Sequence, residues 1–146
     1  MRKFDNVMME TAKIWAEMSY CKRRKVGAVL SKDGRILATG YNGTIHGLDN
    51  MCEEFEPVEK DEEGSDVIVC PKCQGRGEVV IYFGPYGDVD KCTTCNGSGK
   101  VRVLDRTNEF TLHAEQNVLA FCAKNGIPVD GCTLYITDSP CKQCSN

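Results

Sequence analysis

One stretch decides the fold, namely residues 113–144, HAEQNVLAFCAKNGIPVDGCTLYITDSPCKQC. Its first half has apolar residues at helical spacing, which predicts a helix that opens at His113 and stops at Asn125-Gly126. The side chains expected to face inward are Val118, Leu119, Phe121 and Cys122. Residues 132–137 then read as a buried strand, and Cys141 follows it as the start of another helix.

Four residues at the two ends of this stretch carry chemistry: His113, Glu115, Cys141 and Cys144. One histidine nitrogen and two thiolates are zinc ligands, and a Cys-x-x-Cys pair on a first helical turn has both sulfurs on one side. Because two thiolates cancel the charge of zinc, an attacking water also needs a general base, which Glu115 can supply without binding the metal. His-x-Glu alone is common, and Cys-x-x-Cys alone can be redox-active or structural. Together they predict a zinc-dependent nucleobase deaminase.

The N-terminal part predicts a helix and a hairpin. Residues 4–20 have a 3–4 apolar spacing typical of an amphipathic helix that packs on a core. Its apolar stripe comprises Phe4, Val7, Met8, Thr11, Ile14, Trp15 and Met18. Residues 26–30 and 35–40 are apolar runs around Asp33-Gly34, which predicts a β-hairpin. Residues 41–43 leave the second strand as a loop.

The centre of the chain differs in composition. Residues 53–66 are rich in Asp and Glu, which predicts a solvated linker, with an acidic metal site as the alternative. Residues 67–104 look like an insert, because Cys70 and Cys73 recur as Cys92 and Cys95 at an offset of 22 residues. The C-x2-C-x18-C-x2-C spacing predicts one tetrahedral structural zinc. Each pair precedes x-Gly-x-Gly, where glycine lets backbone N–H groups fold around the sulfurs. The alternative, disulfides between these cysteines, requires an oxidising compartment.

Composition sets wider limits. The 146 residues suffice for one deaminase domain, 1–146, with 67–104 as an inserted zinc-ribbon-like module. A net charge of -3 argues against broad binding to a nucleic-acid backbone but allows a small anionic substrate in a basic pocket. The N-terminus lacks the apolar run of a signal peptide, and no stretch is apolar enough to cross a membrane. We therefore expect a cytoplasmic protein whose ten cysteines mainly serve metal binding.

Two segments resemble the deoxycytidylate (dCMP) deaminases. Residues 21–48, CKRRKVGAVLSKDGRILATGYNGTIHGL, carry one part, and HAEQN with TDSPC carries the other. The resemblance implies a three-layer α/β/α fold of the cytidine deaminase type with a mixed central sheet. It also implies further strands and helices past Asn146, so we expect the native chain to continue beyond that residue. The insert resembles the Cys-x-x-Cys-x-Gly-x-Gly repeat of J-domain chaperones.

The resemblance also implies the reaction, hydrolysis of dCMP to dUMP and ammonia, which supplies dUMP for dTMP synthesis. Asn42 would contact the deoxyribose. The backbone N–H of Ala114 would donate to the pyrimidine carbonyl, and the carbonyl of Ser139 would accept a hydrogen bond from the amine. Within the basic run 22–25 we expect Lys25 to contact the phosphate, although a solvated basic turn is equally consistent with this run. The resemblance also implies a homo-oligomer such as a hexamer, with dCTP and dTTP as effectors and Mg2+ beside the effector.

Two other functions stay open. One is a deaminase of cytosine or adenine in RNA or DNA, against which the acidic charge and Tyr41-Asn42 argue. The other is a non-catalytic zinc-binding module, in which Glu115 would have no purpose. Cys21, Cys122 and Cys132 are expected to be free thiols. Cys52 matches a cysteine that often binds structural metal in relatives, and its role is left open.

Overall fold

The computed structural model describes residues 3–83 and 86–139. They contain two helices and ten strands, whose order is α1 (Lys3–Ala16), β1 (Gly27–Lys32), β2 (Arg35–Tyr41), β3 (Gly43–Thr44), β4 (Glu53–Pro57), β5 (Val67–Val69), β6 (Glu78–Phe83), β7 (Tyr86–Lys91), β8 (Lys100–Thr107), β9 (Thr111–Leu112), α2 (Ala114–Asn125) and β10 (Thr133–Ile136). The chain divides into a first unit, Met1–Cys52 with Glu109–Asn146, and a second unit, Glu53–Asn108. No helix among the described residues is long and apolar enough to cross a membrane.

The first unit is built on a three-stranded sheet in the order β10-β1-β2, with both neighbouring pairs antiparallel. The predicted hairpin is confirmed. Asp33 and Gly34 both have positive φ, 51° and 75°, as a two-residue turn that follows the twist of its strands requires. The three-layer order is also confirmed, since α1 and α2 cover opposite faces. The parallel pairing of a mixed sheet does not occur among residues 3–83 and 86–139.

The alternation of β1 explains the two layers. Ala28 and Leu30 point to one face and pack against α2, whereas Val29 points to the other and packs against α1. The α2 side of the core comprises Ala28, Leu30, Ala38, Ala114, Val118 and Cys122. The α1 side comprises Met8, Ala12, Val29 and the half-buried Tyr135.

The predicted apolar stripe of α1 is partly wrong. Phe4, Val7 and Ile14 are more than half exposed, and the buried residues of the helix are Met8, Ala12 and Ala16. The reason is a close backbone approach: a Cβ on Gly27 would lie 1.9 Å from the carbonyl oxygen of Ala12. Only small residues fit there, and a pattern of large apolar residues does not reveal them. In α2, Leu119 and Phe121 are likewise exposed rather than inward-facing.

The second unit begins at Glu53, earlier than the predicted insert boundary at 67. Within it, β8 pairs with both β4 and β5, and β6 pairs with β7. The expected solvated linker over 53–66 is therefore wrong in part, because β4 lies inside that acidic stretch. Its charges are neutralised from β8: Arg102 pairs with Glu62 and with Asp66 at 2.9 Å. Counting the charges of residues 53–66 alone does not reveal a cation that comes from a strand about 40 residues further along the chain.

Candidate active site and metal centre

The first turn of α2 carries the predicted catalytic residues. His113 caps the helix in extended conformation, with φ -71° and ψ 156°, and its backbone N–H donates to Oε1 of Gln116 at 3.0 Å. The first intrahelical hydrogen bond runs from the N–H of Asn117 to the carbonyl of His113 at 3.0 Å. The N–H groups of Ala114 and Glu115 therefore have no acceptor within the helix and are available to a polar ligand.

Glu115 is buried, with 6% of its surface exposed. Its carboxylate makes no hydrogen bond or ion pair to any residue in the described ranges 3–83 and 86–139. Buried carboxylates that serve only the fold are almost always paired. The environment of Glu115 thus suits a group that exchanges protons with a bound molecule.

One end of the central sheet gathers the predicted substrate contacts. Gly27 pairs with Tyr41 and Ala28 with Ile136, so β1 begins where β2 and β10 end. Lys25 precedes β1, Asn42 follows β2 and Ser139 follows β10. The register therefore places all three at the same end of the sheet, here called the sheet edge, although they lie far apart in sequence.

The start of α2 lies at the same sheet edge, because α2 packs closely on Gly40 of β2. A Cβ there would lie 2.8 Å from Cγ2 of Val118 and 3.1 Å from the carbonyl oxygen of Ala114. The side-chain amide of Asn117 also donates to the carbonyl of Tyr41 at 2.9 Å. The first turn of α2, and Glu115 with it, is therefore held against the end of β2.

We expect Gly40→Ala to lower the free energy of unfolding by about 1–3 kcal/mol, because the new methyl group would push α2 away from β2. Urea unfolding measures this. Gly43→Ala is the matched control, since its Cβ would meet only the ring of Tyr41 at 3.8 Å, an ordinary contact. Equal stability of the two variants would contradict the close approach.

The side chain of Asn42 holds the basic run. Its Oδ1 accepts from the N–H of Val26 at 2.8 Å, and its Nδ2 donates to the carbonyl of Arg24 at 2.9 Å. Arg24 in turn pairs with Asp138 at 3.0 Å, and the N–H of Ser139 donates to the same carboxylate at 2.9 Å. The sequence did not predict the links of Asn42 to Arg24 and Val26 or of Arg24 to Asp138, because each joins segments that are distant along the chain.

Lys25 is exposed and lies 3.7 Å from the carboxylate of Glu17. An exposed pair at this distance contributes little to stability. Its ammonium group is therefore easily redirected to an anionic ligand at the sheet edge.

The two thiolates of the predicted catalytic zinc, Cys141 and Cys144, lie outside the described residues. The described part of that site fits a zinc centre on two counts. His113 sits at a helix start, two residues before the buried carboxylate of Glu115, and the donor set of one imidazole and two thiolates is one that zinc favours.

The second unit brings Cys70, Cys73, Cys92 and Cys95 together. All four are fully buried, and their sulfurs lie within 4.8 Å of one another. The sulfurs of Cys70 and Cys92 are 3.9 Å apart, and those of Cys73 and Cys95 are 3.7 Å apart. Thiolates about 2.3 Å from a tetrahedral zinc ion are separated by about 3.8 Å. The cluster therefore has the dimensions of a closed four-sulfur site.

The two repeats close around each other through glycine. The N–H of Gly77 donates to the sulfur of Cys73, and that of Gly99 to the sulfur of Cys95, each at 3.3 Å. A Cβ on Gly77 would lie 2.3 Å from the carbonyl of Gly97. Each half thus packs backbone to backbone on the other, which only glycine permits.

Burial raises the pKa of Cys70 to about 12. Burial also opposes ionisation of Cys73, but the N–H of Gly77 and the thiol of Cys95 outweigh it and lower its pKa to about 7. Without a metal, the cluster thus favours thiols at some positions and a thiolate at another. A metal ion must displace the remaining protons, so its affinity falls as pH falls.

The expectation of a free Cys21 is wrong. Cys21 and Cys52 form a disulfide across 31 residues of sequence. Their pairing depends on the chain returning after β3, which no local pattern indicates. Cys122 and Cys132 are free thiols, as predicted.

Comparison with known proteins finds deaminases that match almost the whole chain and a chaperone that matches a short part of it. A family model described as the cytidine and deoxycytidylate deaminase zinc-binding region matches residues 2–146. Deoxycytidylate deaminase of Enterobacteria phage T4 is 32% identical over 143 residues, covering 96% of this chain and 69% of that protein. The crystal structure of dCMP deaminase from cyanophage S-TIM5 in complex with dCMP and dUMP has a TM-score of 0.61 and 33% identity, covering 99% of this chain and 73% of that one. The chaperone DnaJ of Mycoplasma mycoides subsp. mycoides is 41% identical over 44 residues, or 27% of this chain and 12% of that protein.

Proposed function

The chain belongs to the cytidine and deoxycytidylate deaminase family, and from that premise we propose that it hydrolyses dCMP to dUMP and ammonia, supplying dUMP for dTMP synthesis. The observation that carries this function is the buried Glu115, which follows the helix-capping His113 by two residues and has no partner among residues 3–83 and 86–139. Similarity over almost the whole chain to a structure bound to dCMP and dUMP supports the choice of substrate.

The reaction needs an activated water and a proton carrier. His113, Cys141 and Cys144 would hold a zinc ion, which when bound acidifies the attacking water. Glu115 accepts one proton of that water and passes it to the ring nitrogen, then accepts the second proton, from the hydroxyl now on the ring carbon, and passes it to the leaving amine.

Substrate contacts follow from the shared sheet edge. The N–H of Ala114, at the start of α2, donates a hydrogen bond to the pyrimidine carbonyl, and the carbonyl of Ser139 accepts a hydrogen bond from the amine. Asn42 contacts the deoxyribose while its amide holds the backbone of the basic run. Lys25 leaves its exposed pair with Glu17 to bind the phosphate.

Lys25→Ala should raise KM for dCMP about tenfold to a hundredfold, because a hydrogen-bonded charge pair with the phosphate is lost. Turnover of deoxycytidine, which has no phosphate, should not change. Steady-state kinetics on both substrates measure this, with Lys124→Ala, an exposed lysine in the last turn of α2, as the matched control. An equal loss on both substrates would exclude Lys25 as the phosphate contact.

The four-cysteine cluster would hold a second, structural zinc ion, for which the buried sulfurs and their spacing are the support. A closed site with four protein ligands leaves no position for water, so this metal orders the inserted module, 67–104, within the deaminase domain, 1–146. The family resemblance alone supports a cytoplasmic homo-oligomer such as a hexamer, with dCTP and dTTP as effectors and Mg2+ beside them.

The substrate assignment is tested with dCMP, CMP and deoxycytidine, followed by the absorbance change on deamination and by chromatography of the product. We expect dUMP from dCMP and far slower conversion of the other two. Faster conversion of deoxycytidine than of dCMP would refute a nucleotide deaminase.

A further inference from the structure

The disulfide between Cys21 and Cys52 has no part in the chemistry described so far. Both cysteines are buried, with 2% of their surface exposed. They are not members of a metal site in the described residues, where the one group of possible ligands is the four-cysteine cluster of the second unit. Moreover, the whole chain has only two histidines, His46 and His113. The pair is therefore a covalent link rather than half of a metal centre.

One end of this link reaches Asn42. The sulfur of Cys21 lies 3.7 Å from the carbonyl oxygen of Asn42, and the hydroxyl of Ser19 donates to that oxygen at 2.8 Å. The backbone N–H of Cys21 donates to the same hydroxyl at 3.2 Å. The side chain of Asn42 in turn hydrogen-bonds to the backbone of Arg24 and Val26, so the position of Asn42 also restrains the basic run 22–25.

The other end reaches the segment before the catalytic helix. The carbonyl of Cys52 accepts from the hydroxyl of Thr111 at 3.0 Å. Thr111 pairs with Thr44 between β9 and β3, and His113 follows two residues later. The disulfide thus joins the loop that carries the basic run to the end of the β3–β4 loop, and the hydrogen bond from Thr111 connects that loop to the segment before α2.

We propose that Cys21–Cys52 is a redox-sensitive clasp that positions Asn42 and the basic run for nucleotide binding. In the oxidised form the link fixes the backbone of Cys21, whose N–H donates to the hydroxyl of Ser19, and that hydroxyl donates to the carbonyl of Asn42. The side-chain amide of Asn42 extends the restraint to the backbone next to Lys25. Reduction by a dithiol breaks the S–S bond: the dithiol gives two electrons and two protons, two cysteine thiols form, and the dithiol becomes a disulfide. The loop then keeps only its hydrogen bonds and samples other conformations.

This clasp rests on the proposed function, since it acts on dCMP binding. Disulfides in a reducing compartment are usually transient or regulatory, which fits a switch better than a permanent cross-link. The low exposure of both sulfurs means that exchange requires local opening of the loop, so the change should be slow.

The test compares oxidised protein with protein reduced by a phosphine, with zinc content measured in both. Alkylation of the denatured, zinc-free chains should find two fewer reactive cysteines before reduction than after it. Reduction should raise KM for dCMP about tenfold or more and lower kcat by less, because contacts to the nucleotide move while Glu115 stays in place. Hydrogen exchange at the amide of Val26, the donor to Asn42, should become faster, with that of Leu30 in β1 unchanged.

The variant Cys21→Ser/Cys52→Ser should behave like the reduced protein and show no further response to the phosphine. Cys132→Ser, which removes a thiol outside the pair, should respond as the unaltered chain does. An equal number of alkylated cysteines in both states, an unchanged KM with unchanged exchange at Val26, or a loss of zinc in the double variant would overturn the clasp. If neither form converts dCMP, the proposed function fails, and exchange at Val26 alone decides whether the clasp exists.

Discussion

Glu115→Gln should lower kcat for dCMP by a factor of about 10²–10⁴, the usual contribution of a general acid–base group. The amide has nearly the shape of the carboxylate but cannot accept the proton of the attacking water. Because Glu115 is buried and unpaired among the described residues, the substitution breaks no hydrogen bond or ion pair between residues in those ranges. KM for dCMP should change much less than kcat, because the carboxylate acts in the transition state.

The control for this experiment is Glu10→Gln. It removes a carboxylate from α1, where Glu10 is exposed and pairs only weakly with Lys13. Zinc content and thermal unfolding should match the unaltered chain in both variants. If Glu115→Gln keeps full activity, or loses it together with zinc, Glu115 is not the proton carrier.

Cys95→Ser should unfold the second unit locally and remove about one zinc ion per chain. Structural zinc sites contribute about 10–16 kcal/mol of apparent binding free energy in isolated fingers, and loss of one ligand forfeits much of it. The β4-β8-β5 sheet has few buried apolar residues apart from Val101. A bound metal ion would therefore supply stability that this small apolar core cannot. Hydrogen exchange should show lost protection over β5 and β8, with β1 still protected.

Cys132→Ser is the matched control, since it removes one free thiol of the first unit. It should keep both zinc content and exchange pattern. If Cys95→Ser retains all zinc and full protection of β8, the four-cysteine cluster is not a metal site.

Local patterns predicted the parts of this fold that local physics decides. Asp33-Gly34 specifies its hairpin because both residues tolerate positive φ, and Gly126 ends α2 in left-handed conformation, as expected. The Cys-x-x-Cys-x-Gly-x-Gly repeat predicted which four sulfurs would meet, because the two copies supply both the ligands and the glycines that let them approach.

Other features depend on residues that are distant in sequence. The buried face of α1 is set by Gly27 across the layer, so its small residues were missed in favour of larger apolar ones. Arg102 organises the acidic stretch from another strand, and Cys52 pairs with Cys21 rather than with a metal. For the site, sequence and family resemblance supplied the residue types, while the β10-β1-β2 register explains why Lys25, Asn42 and Ser139 share one edge.

The most direct measurement is kcat/KM of the zinc-loaded protein for dCMP, beside that for a single-stranded oligonucleotide containing cytosine. The account predicts conversion of dCMP to dUMP at a kcat/KM at least about a hundredfold higher than for the oligonucleotide, because a net charge of -3 disfavours broad binding to a nucleic-acid backbone. Preferential turnover of the oligonucleotide, or no turnover of either substrate by the zinc-loaded protein, would contradict it.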